Sequence, residues 1–466
     1  MKLLKTKDKS TVKRIIAACS VFILGISAGA QSELTLPFMN NLFQSTYLNP
    51  VVRSEHAISI GLPVLSSSYF QVIHNGFVPR SFMEIDGRTL TISPESLEKQ
   101  VRNRNMLHAN AGFDLFHLKM RIDNWDFWYS WRVNSDVSFF YPKSLISLAI
   151  EGNTQYAGDA MDLTPFGWNG SLYKEHSFGA ATEYGRWVFG GRASLLFGLT
   201  NAYLKPDLFE IGVVDEMYAL SASSDATLRT SGIPGDSFEN VNFDQFSDIN
   251  NTLNYFTRLK NPGFALSGGA SYDYDDRTKF TFAFSNLGLV SWSDSTKIFS
   301  LKGETEFSGF DIFSDLLAGN EIEADTLLQD FLDNFDAEEQ ADMRYRTWLA
   351  PRFYLAANYR LASRTHVGVQ FYSVINRGYY PAVSAGITQG LGRTLNVALS
   401  ISANQRTVSN IGFGLIIKPG PFQIYMLADN IYSPLVDPLT FTNFNLRLGM
   451  NLVFGRVNTI QGLPYR

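Results

Sequence analysis

The stretch NFNLRLGMNLVFG, Asn443 to Gly455, alternates without a break. Phe444, Leu446, Leu448, Met450, Leu452 and Phe454 are apolar, and between them stand Asn443, Asn445, Arg447, Gly449, Asn451, Val453 and Gly455. Successive side chains of a strand point to opposite sides, so this is a strand with one apolar face. The same pattern recurs in Asp126 to Phe139 and Thr394 to Asn404, and in Phe353 to Leu361, Thr365 to Ile375, Phe264 to Tyr274, Lys279 to Leu287 and Ile411 to Ile417. Soluble strands are typically about 5–6 residues long, whereas a tilted strand crossing a bilayer needs about 9–11. The clearest segments are of the second size. Opposite their apolar sides lie Asp126, Arg132, Asp136, Asn358, Arg360, His366 and Gln370, which in a barrel face a watery lumen. A β-sandwich or solenoid with polar outer faces is the competing reading, but an exported soluble sheet rarely needs so many long, aromatic-rich strands.

The N-terminus sets the compartment. Lys2, Lys5, Lys7, Lys9, Lys13 and Arg14 precede an apolar run from Ile15 to Ile26 and then Ala28-Gly29-Ala30, the pattern of a secretory signal peptide over residues 1–30. Acylation at Cys19 is the alternative, with too little apolar sequence before the cysteine. Cys19 is the sole cysteine, so the expected mature chain has no disulfide framework, thiolate metal site or cysteine nucleophile. After Ala30 no stretch approaches the ~18 apolar residues of a spanning helix. If the chain crosses a membrane it does so as strands, and a sheet in hydrocarbon must close on itself to satisfy its backbone groups. The expected fold is therefore all-β, a closed antiparallel transmembrane barrel over 57–456. It has 14 strands, or 16 if the hairpin Met217 to Thr230 joins the wall.

Tight links at Asp275-Asp276-Arg277, Ala362-Ser363-Arg364, Leu391-Gly392-Arg393 and Lys418 to Pro421 alternate with the connections Ser291 to Ala350, Asn376 to Tyr379, Gln405 to Ser409 and Asp429 to Asn443. Short turns belong to the periplasmic end and longer loops outside, so parity sends Ser291 to Ala350 outside. Gly303 to Asp342 holds thirteen Asp or Glu and no Lys or Arg, which leaves the remainder of the chain at +8 against −5 overall. Ala324, Leu327, Leu328, Phe331 and Phe335 recur at helical spacing, predicting an acidic amphipathic helix over Glu321 to Met343 in the outer loop 303–343. That helix is either a docking surface for a surface protein or a solvated face. Pro142 to Glu151 is a second helical candidate, in an outer loop or the lumen. Trp125, Trp187, Trp292 and Trp348 fall near strand ends, where interfacial girdles form.

Arg447, Gly449, Leu452 and Phe454 resemble the C-terminal signal by which outer-membrane barrels are recognised by the barrel assembly machinery, although a tail, 457–466, follows. Tyr47 to Pro50, NPGFALSGGASY (Asn261 to Tyr272), FSNLGLVSW (Phe284 to Trp292) and PFQIYMLADNIYSP (Pro421 to Pro434) resemble a Bacteroidota family of outer-membrane barrels of unknown function. That family is similar to FadL-type transporters of hydrophobic compounds and to PorP/SprF-type proteins. Asn286 and Ser267 stand where that family leads us to expect Asp. The resemblance implies an N-terminal plug in the lumen, Gln31 to Arg53 within the unit 31–56; a periplasmic tail is the alternative.

No enzyme constellation is present in the sequence. The six histidines show no metal-ligand spacing, there is no Gly-x-Ser-x-Gly elbow, and Asp273, Asp275 and Asp276 lack the Gly and distal Glu of a calcium loop. No cofactor is expected, and a pI near 5.8 on an exported chain gives no support for nucleic-acid binding. Two functions remain for a barrel in the outer membrane of a Gram-negative bacterium, in contact with its lipid. One is passage of small hydrophobic or amphipathic compounds, with Arg132, Asp136, Asn358, Arg360, His366 and Gln370 lining the path or holding the plug. The other is an adaptor for surface secretion or gliding machinery, working through 303–343.

Overall fold

The computed structural model describes residues 33–86, 89–151, 158–213, 220–233, 248–307, 338–403, 410–430, 438–440 and 442–456. The signal-peptide range, residues 308–337 of the acidic loop, Gln405 to Ser409 and the tail lie outside these.

Among the described residues, fourteen columns of antiparallel strands close on themselves. The first column is made of two collinear pieces, β1 (His56–Gly61) and β2 (Ser68–His74). Both pair with the last strand on one side and with the second column on the other, which closes the sheet. A small hairpin, β3 (Met83–Asp86) and β4 (Thr89–Ile92), and helix α1 (Pro94–Gln100) lead to β5 (Asn105–Ile122). Then come β6 (Trp125–Tyr141), helix α2 (Lys143–Glu151), the short β7 (Ala160–Asp162), β8 (Gly167–Tyr184) and β9 (Trp187–Val213).

The next three columns are stacked pieces. β10 (Leu220–Ser231) and β11 (Pro262–Asp273), separated by helix α3 (Ile249–Thr257), pair with the upper and lower parts of β9. β12 (Thr278–Trp292) continues into β13 (Thr296–Phe307), and β14 (Glu338–Ala341), β15 (Tyr345–Trp348) and β16 (Arg352–Ala362) make the eighth column. Six single strands complete the wall: β17 (Thr365–Ile375), β18 (Tyr379–Leu391), β19 (Leu395–Ala403), β20 (Asn410–Ile417), β21 (Phe422–Ala428) and β22 (Asn443–Arg456).

Met217 to Thr230 is therefore not a hairpin: Leu220–Ser231 is one strand sharing a column with β11, and the count is 14. Ser291 to Ala350 is not one long loop either. It carries β13, β14 and β15, and Glu338–Ala341, at the end of the range expected to be helical, is a strand paired with Lys297 to Ser300. Its charged sequence hides this because a strand standing clear of an apolar medium has no face that must be apolar. The segment Lys143–Glu151 is helical as expected, and its Leu145 and Leu148 pack on an outer cluster with Leu163, Phe209 and Ile211.

Exposure alternates along the wall. In β22 the side chains of Asn445, Arg447, Asn451 and Val453 are buried, while Leu448 and Phe454 are among the exposed large hydrophobics. Phe127, Phe178, Leu195, Phe282, Leu355, Leu399 and Ile424 extend this apolar exterior around the circumference. A monomeric soluble protein rarely exposes a contiguous apolar surface larger than a few hundred Å². Trp125 and Trp187 lie exposed near the short-turn end and Trp348 toward the other, as interfacial residues do. Trp292 is the exception: it is fully buried, donating to Thr347 Oγ1 at 2.8 Å. The cause is a bulge between β11 and β12, where Asn286 takes a φ of 62°. Inward parity passes from Thr281, Ala283 and Ser285 to Val290 and Trp292 across it.

Residues 33–55 occupy the interior. At one end the backbone N–H groups of Leu34 and Thr35 donate to the Asp429 carboxylate at 2.6 and 2.7 Å, beyond the long-loop end of β21. At the other end Arg53 reaches Asp126 and Glu183, near the short turns. Between them two short 3-10 helices, Leu36–Phe38 and Phe43–Tyr47, bury Leu36, Leu42 and Phe43 against Ile416, Tyr425, Leu427 and Trp128 of the wall. No helix among the described residues is long and apolar enough to cross a membrane.

Candidate functional site

The interior is organised by three sets of charges, each tying residues 33–55 to the wall. The middle set begins at Asp114, which is fully buried. It accepts from Tyr47 Oη at 2.6 Å, and Arg132 Nε lies 3.3 Å from its other oxygen. The Arg132 guanidinium also stacks over the Tyr47 ring at 3.9 Å. Glu175 lies 3.7 Å from Arg132 and 3.9 Å from Arg192, and accepts from Ser177 and Ser194, each at 2.8 Å. Buried charges persist only when paired and hydrogen-bonded in this way.

Asp114 faces inward because of a second bulge, between Asp114 and Phe116 against β6. Before it His108 and Asp114 are the buried positions; after it His117 and Lys119 are. A two-residue period read straight through β5 puts one of these sets outside. At the short-turn end the second set joins Arg53, Lys119 and Arg121 around Asp126, with Asp126 to Arg53 at 2.8 Å and to Arg121 at 2.7 Å. The third is Arg447, ion-paired with Glu33, hydrogen-bonded to Ser67 Oγ and stacked 4.5 Å over the Tyr69 ring.

Close approach also requires absent side chains. A Cβ at Gly386 would sit 2.7 Å from the Phe38 ring, and one at Gly412 would sit 2.1 Å from Thr35 Oγ1.

Two of the cavities among the described residues bear on the interior. The lower, about 130 Å³, lies between Phe38, Met39 and Arg53 of the N-terminal segment and wall residues including Asn358, His366 and Asn396. The upper, about 460 Å³, takes in Asp136, Tyr173, Tyr203 and Arg352 together with Phe264, Leu287 and Trp348. Asp136, Tyr173 and Arg352 belong to the inner side, whereas Phe264, Leu287 and Trp348 are 51%, 41% and 73% exposed on the outer side. The cavity therefore runs across the wall. It does so where the eighth column is interrupted at Leu349-Ala350-Pro351, between β15 and β16, opposite the Asn286 bulge.

The wall has a second irregularity in its first column. Between Gly61 and Ser68 six residues stand opposite two on β22. Val64 there has a φ of 62°, a strained conformation for a β-branched side chain. Ser66 and Ser67 turn inward, and the Ser66 carbonyl accepts from Gln44 Nε2 at 3.0 Å and Tyr425 Oη at 2.6 Å.

The residues singled out from sequence thus separate. Arg132 and Gln370 hold the N-terminal segment, Gln370 Nε2 donating to the Leu34 carbonyl at 2.6 Å. Asn358 and His366 line the lower cavity and Asp136 the upper. Arg360 lies at the rim, its Nη2 donating to the Asp276 carbonyl at 2.7 Å. In β22, Arg447 faces the lumen, Leu452 and Phe454 the exterior, and a Cβ on Gly449 would meet the Ser66 carbonyl at 2.2 Å. Sequence reasoning missed Asp114, Glu175, Arg192 and Arg352. Their signal is a charged residue inside a long strand, but register and bulges decide which way it points. Among the described residues no group of three or more His, Cys, Asp or Glu is placed to hold a metal ion.

No curated protein matches the chain. Among solved structures, the Pseudomonas putida toluene transporter TodX aligns over 89% of this chain and 95% of its own at 8% identity, with a TM-score of 0.41. The Ralstonia pickettii toluene transporter TbuX aligns over 92% and 97% at 7% identity, with a TM-score of 0.41. A Pseudomonas aeruginosa FadL homologue aligns over 92% and 100% at 9% identity, with a TM-score of 0.40. The family model described as a family of unknown function (DUF5723) matches residues 50–429, and the chain belongs to that family.

Proposed function

We propose that this protein is an outer-membrane barrel of a Gram-negative bacterium through which small apolar or amphipathic molecules pass, with no chemical step on the passenger. The observation that carries this reading is the upper cavity, whose lining joins lumen-side and lipid-side residues at the Leu349 to Pro351 interruption. A molecule entering from the outer end would leave sideways into lipid, so its apolar part never crosses the polar interior. Residues 33–55 serve as a plug that closes the straight route, with the small lower cavity beside them.

The test is to close the crevice. Ala350→Trp places an indole in the gap, and entry of a neutral probe such as 4-bromobenzyl alcohol into proteoliposomes should fall at least tenfold. Heat-modifiable migration on a gel should be unchanged. Undiminished entry with the crevice filled rules out the lateral route.

A second reading, an adaptor for surface secretion or gliding machinery, is favoured by the outer sheet. β9, β10 and β13 rise on one side of the barrel, with Ile211, Ala222, Leu228 and Leu301 forming a core of their own with Met161 and Leu163. Deleting 308–337 should abolish partner capture if the protein is an adaptor and leave probe entry intact if it is a passage.

A further inference from the structure

The upper cavity contains a charge that passage of a neutral molecule does not use. Arg352 lines it, and the same side chain lines a smaller void behind, beside Gln71, His108 and Tyr380. Its Nε is buried with no hydrogen-bond partner, and among the described residues no carboxylate lies within ion-pair distance of it. The other guanidiniums of the interior are engaged. Arg132, Arg192 and Arg447 face Asp114, Glu175 and Glu33. Asp136, the acid sharing the cavity, is itself occupied: Asn110 Nδ2 donates to it at 3.1 Å and His108 Nδ1 lies 3.9 Å away.

More positive charge surrounds the same space. Arg346 and Arg377 also line it. Arg377 stacks between the Phe140 and Tyr203 rings at 4.9 and 4.8 Å and donates to the Leu204 carbonyl at 2.8 Å, which fixes it in place. Toward the exterior the lining turns aromatic and aliphatic, with Phe264, Leu287 and Trp348. A partly buried guanidinium without an ion-pair partner is costly, and its planar fork recovers most when it meets a planar two-oxygen anion. One end of the cavity is therefore built for an oxyanion and the other for an apolar body, in a space within the usual ~300–1,000 Å³ of small-molecule sites.

We infer that the upper cavity binds a small amphipathic carboxylate, its carboxylate on Arg352 and its aromatic or short aliphatic body lying against Leu287 and Phe264. This rests on the reading of the same crevice as the passage, and narrows it to a chemical class. The guanidiniums of Arg346, Arg352 and Arg377 outnumber the single carboxylate of Asp136 and repel the amine-bearing analogue, so charge sign is selected as well as size.

Trp348 provides a reporter. The purified full chain in neutral detergent is titrated with 4-bromobenzoate, 4-bromobenzyl alcohol and 4-bromobenzylamine, whose bromine quenches a neighbouring indole. Saturable quenching by the benzoate is expected, lost in Trp348→Phe, with at least tenfold tighter binding than the alcohol and no saturable response to the amine. Arg352→Met should reduce benzoate to the level of the alcohol, and Arg352→Lys should retain part of the preference. Equal quenching by all three probes on the unaltered protein overturns the inference, whether or not the Arg352 variants fold. So does an Arg352→Met protein that keeps the preference. The two readings fail separately. Entry of the alcohol blocked by Ala350→Trp, without a carboxylate preference, removes only this inference; carboxylate binding with no entry of any probe removes only the passage.

Discussion

Arg447→Met is expected to free the N-terminal segment from the barrel while leaving the wall intact. Arg447 is 1% exposed and its ion-pair partner Glu33 is 3% exposed, so the substitution leaves a carboxylate buried without a counter-charge. Removing one member of such a pair typically costs about 3–5 kcal/mol. The remaining ties, Tyr47 to Asp114 and Arg53 to Asp126, lie further down the lumen, so the end at Glu33 to Thr35 loosens first. The variant should lose heat-modifiable migration at a lower temperature. In planar bilayers it should conduct ions where the unaltered barrel is closed. Pairing the change with Glu33→Gln should restore part of the loss, because the cost comes from the orphaned charge and not from absence of the bridge. That double variant also separates two roles for Arg447. A residue needed only as part of the assembly signal is not rescued by an alteration at Glu33.

The wall was legible wherever the two-residue period runs unbroken. β17, β19 and β22 follow their sequences from end to end, because an apolar exterior on one side and the packed interior on the other leave each position one acceptable chemistry. Legibility fails at bulges. The Asp114 to Phe116 irregularity in β5 and the Asn286 bulge in β12 each reverse the faces, which is why Trp292 reads as interfacial and stands in the core. It fails again beyond the apolar belt: β10 has an inner face of small residues, Ala222 and Ala226, and β13 and β14 are charged, so neither pattern marks a wall strand. The charge network is hidden for another reason. Asp114, Arg132, Glu175 and Arg192 come from four successive wall strands, β5, β6, β8 and β9, and meet only once the register of each hairpin is fixed. An interior position for residues 33–55 was suggested by family resemblance alone. Their short turns and mixed polarity have no periodicity that distinguishes a packed segment from a tail.

Leu399→Arg should be the most damaging single change on the exterior, and its contrast with Asn396→Arg tests the direction of every face in the wall. Leu399 lies at the middle of β19, opposite Phe413 and Ile387 and 48% exposed among other apolar side chains. A charged arginine at the hydrocarbon midplane of a barrel costs about 2–4 kcal/mol, falling toward zero near the interfaces. Asn396, three residues away on the inner face, lines the lower cavity with Glu55 and Glu183, where a guanidinium finds water and opposite charge. Its replacement by arginine should cost less than ~1 kcal/mol, as exposed pairs do. Urea titration in phospholipid vesicles, read by the folded band on an unheated gel, measures both. If the two variants unfold together, or if Leu399→Arg is the milder, then Leu399 does not face lipid. The barrel would be turned inside out or packed against a second sheet, and the lateral crevice at Leu349 to Pro351 would then open on no membrane.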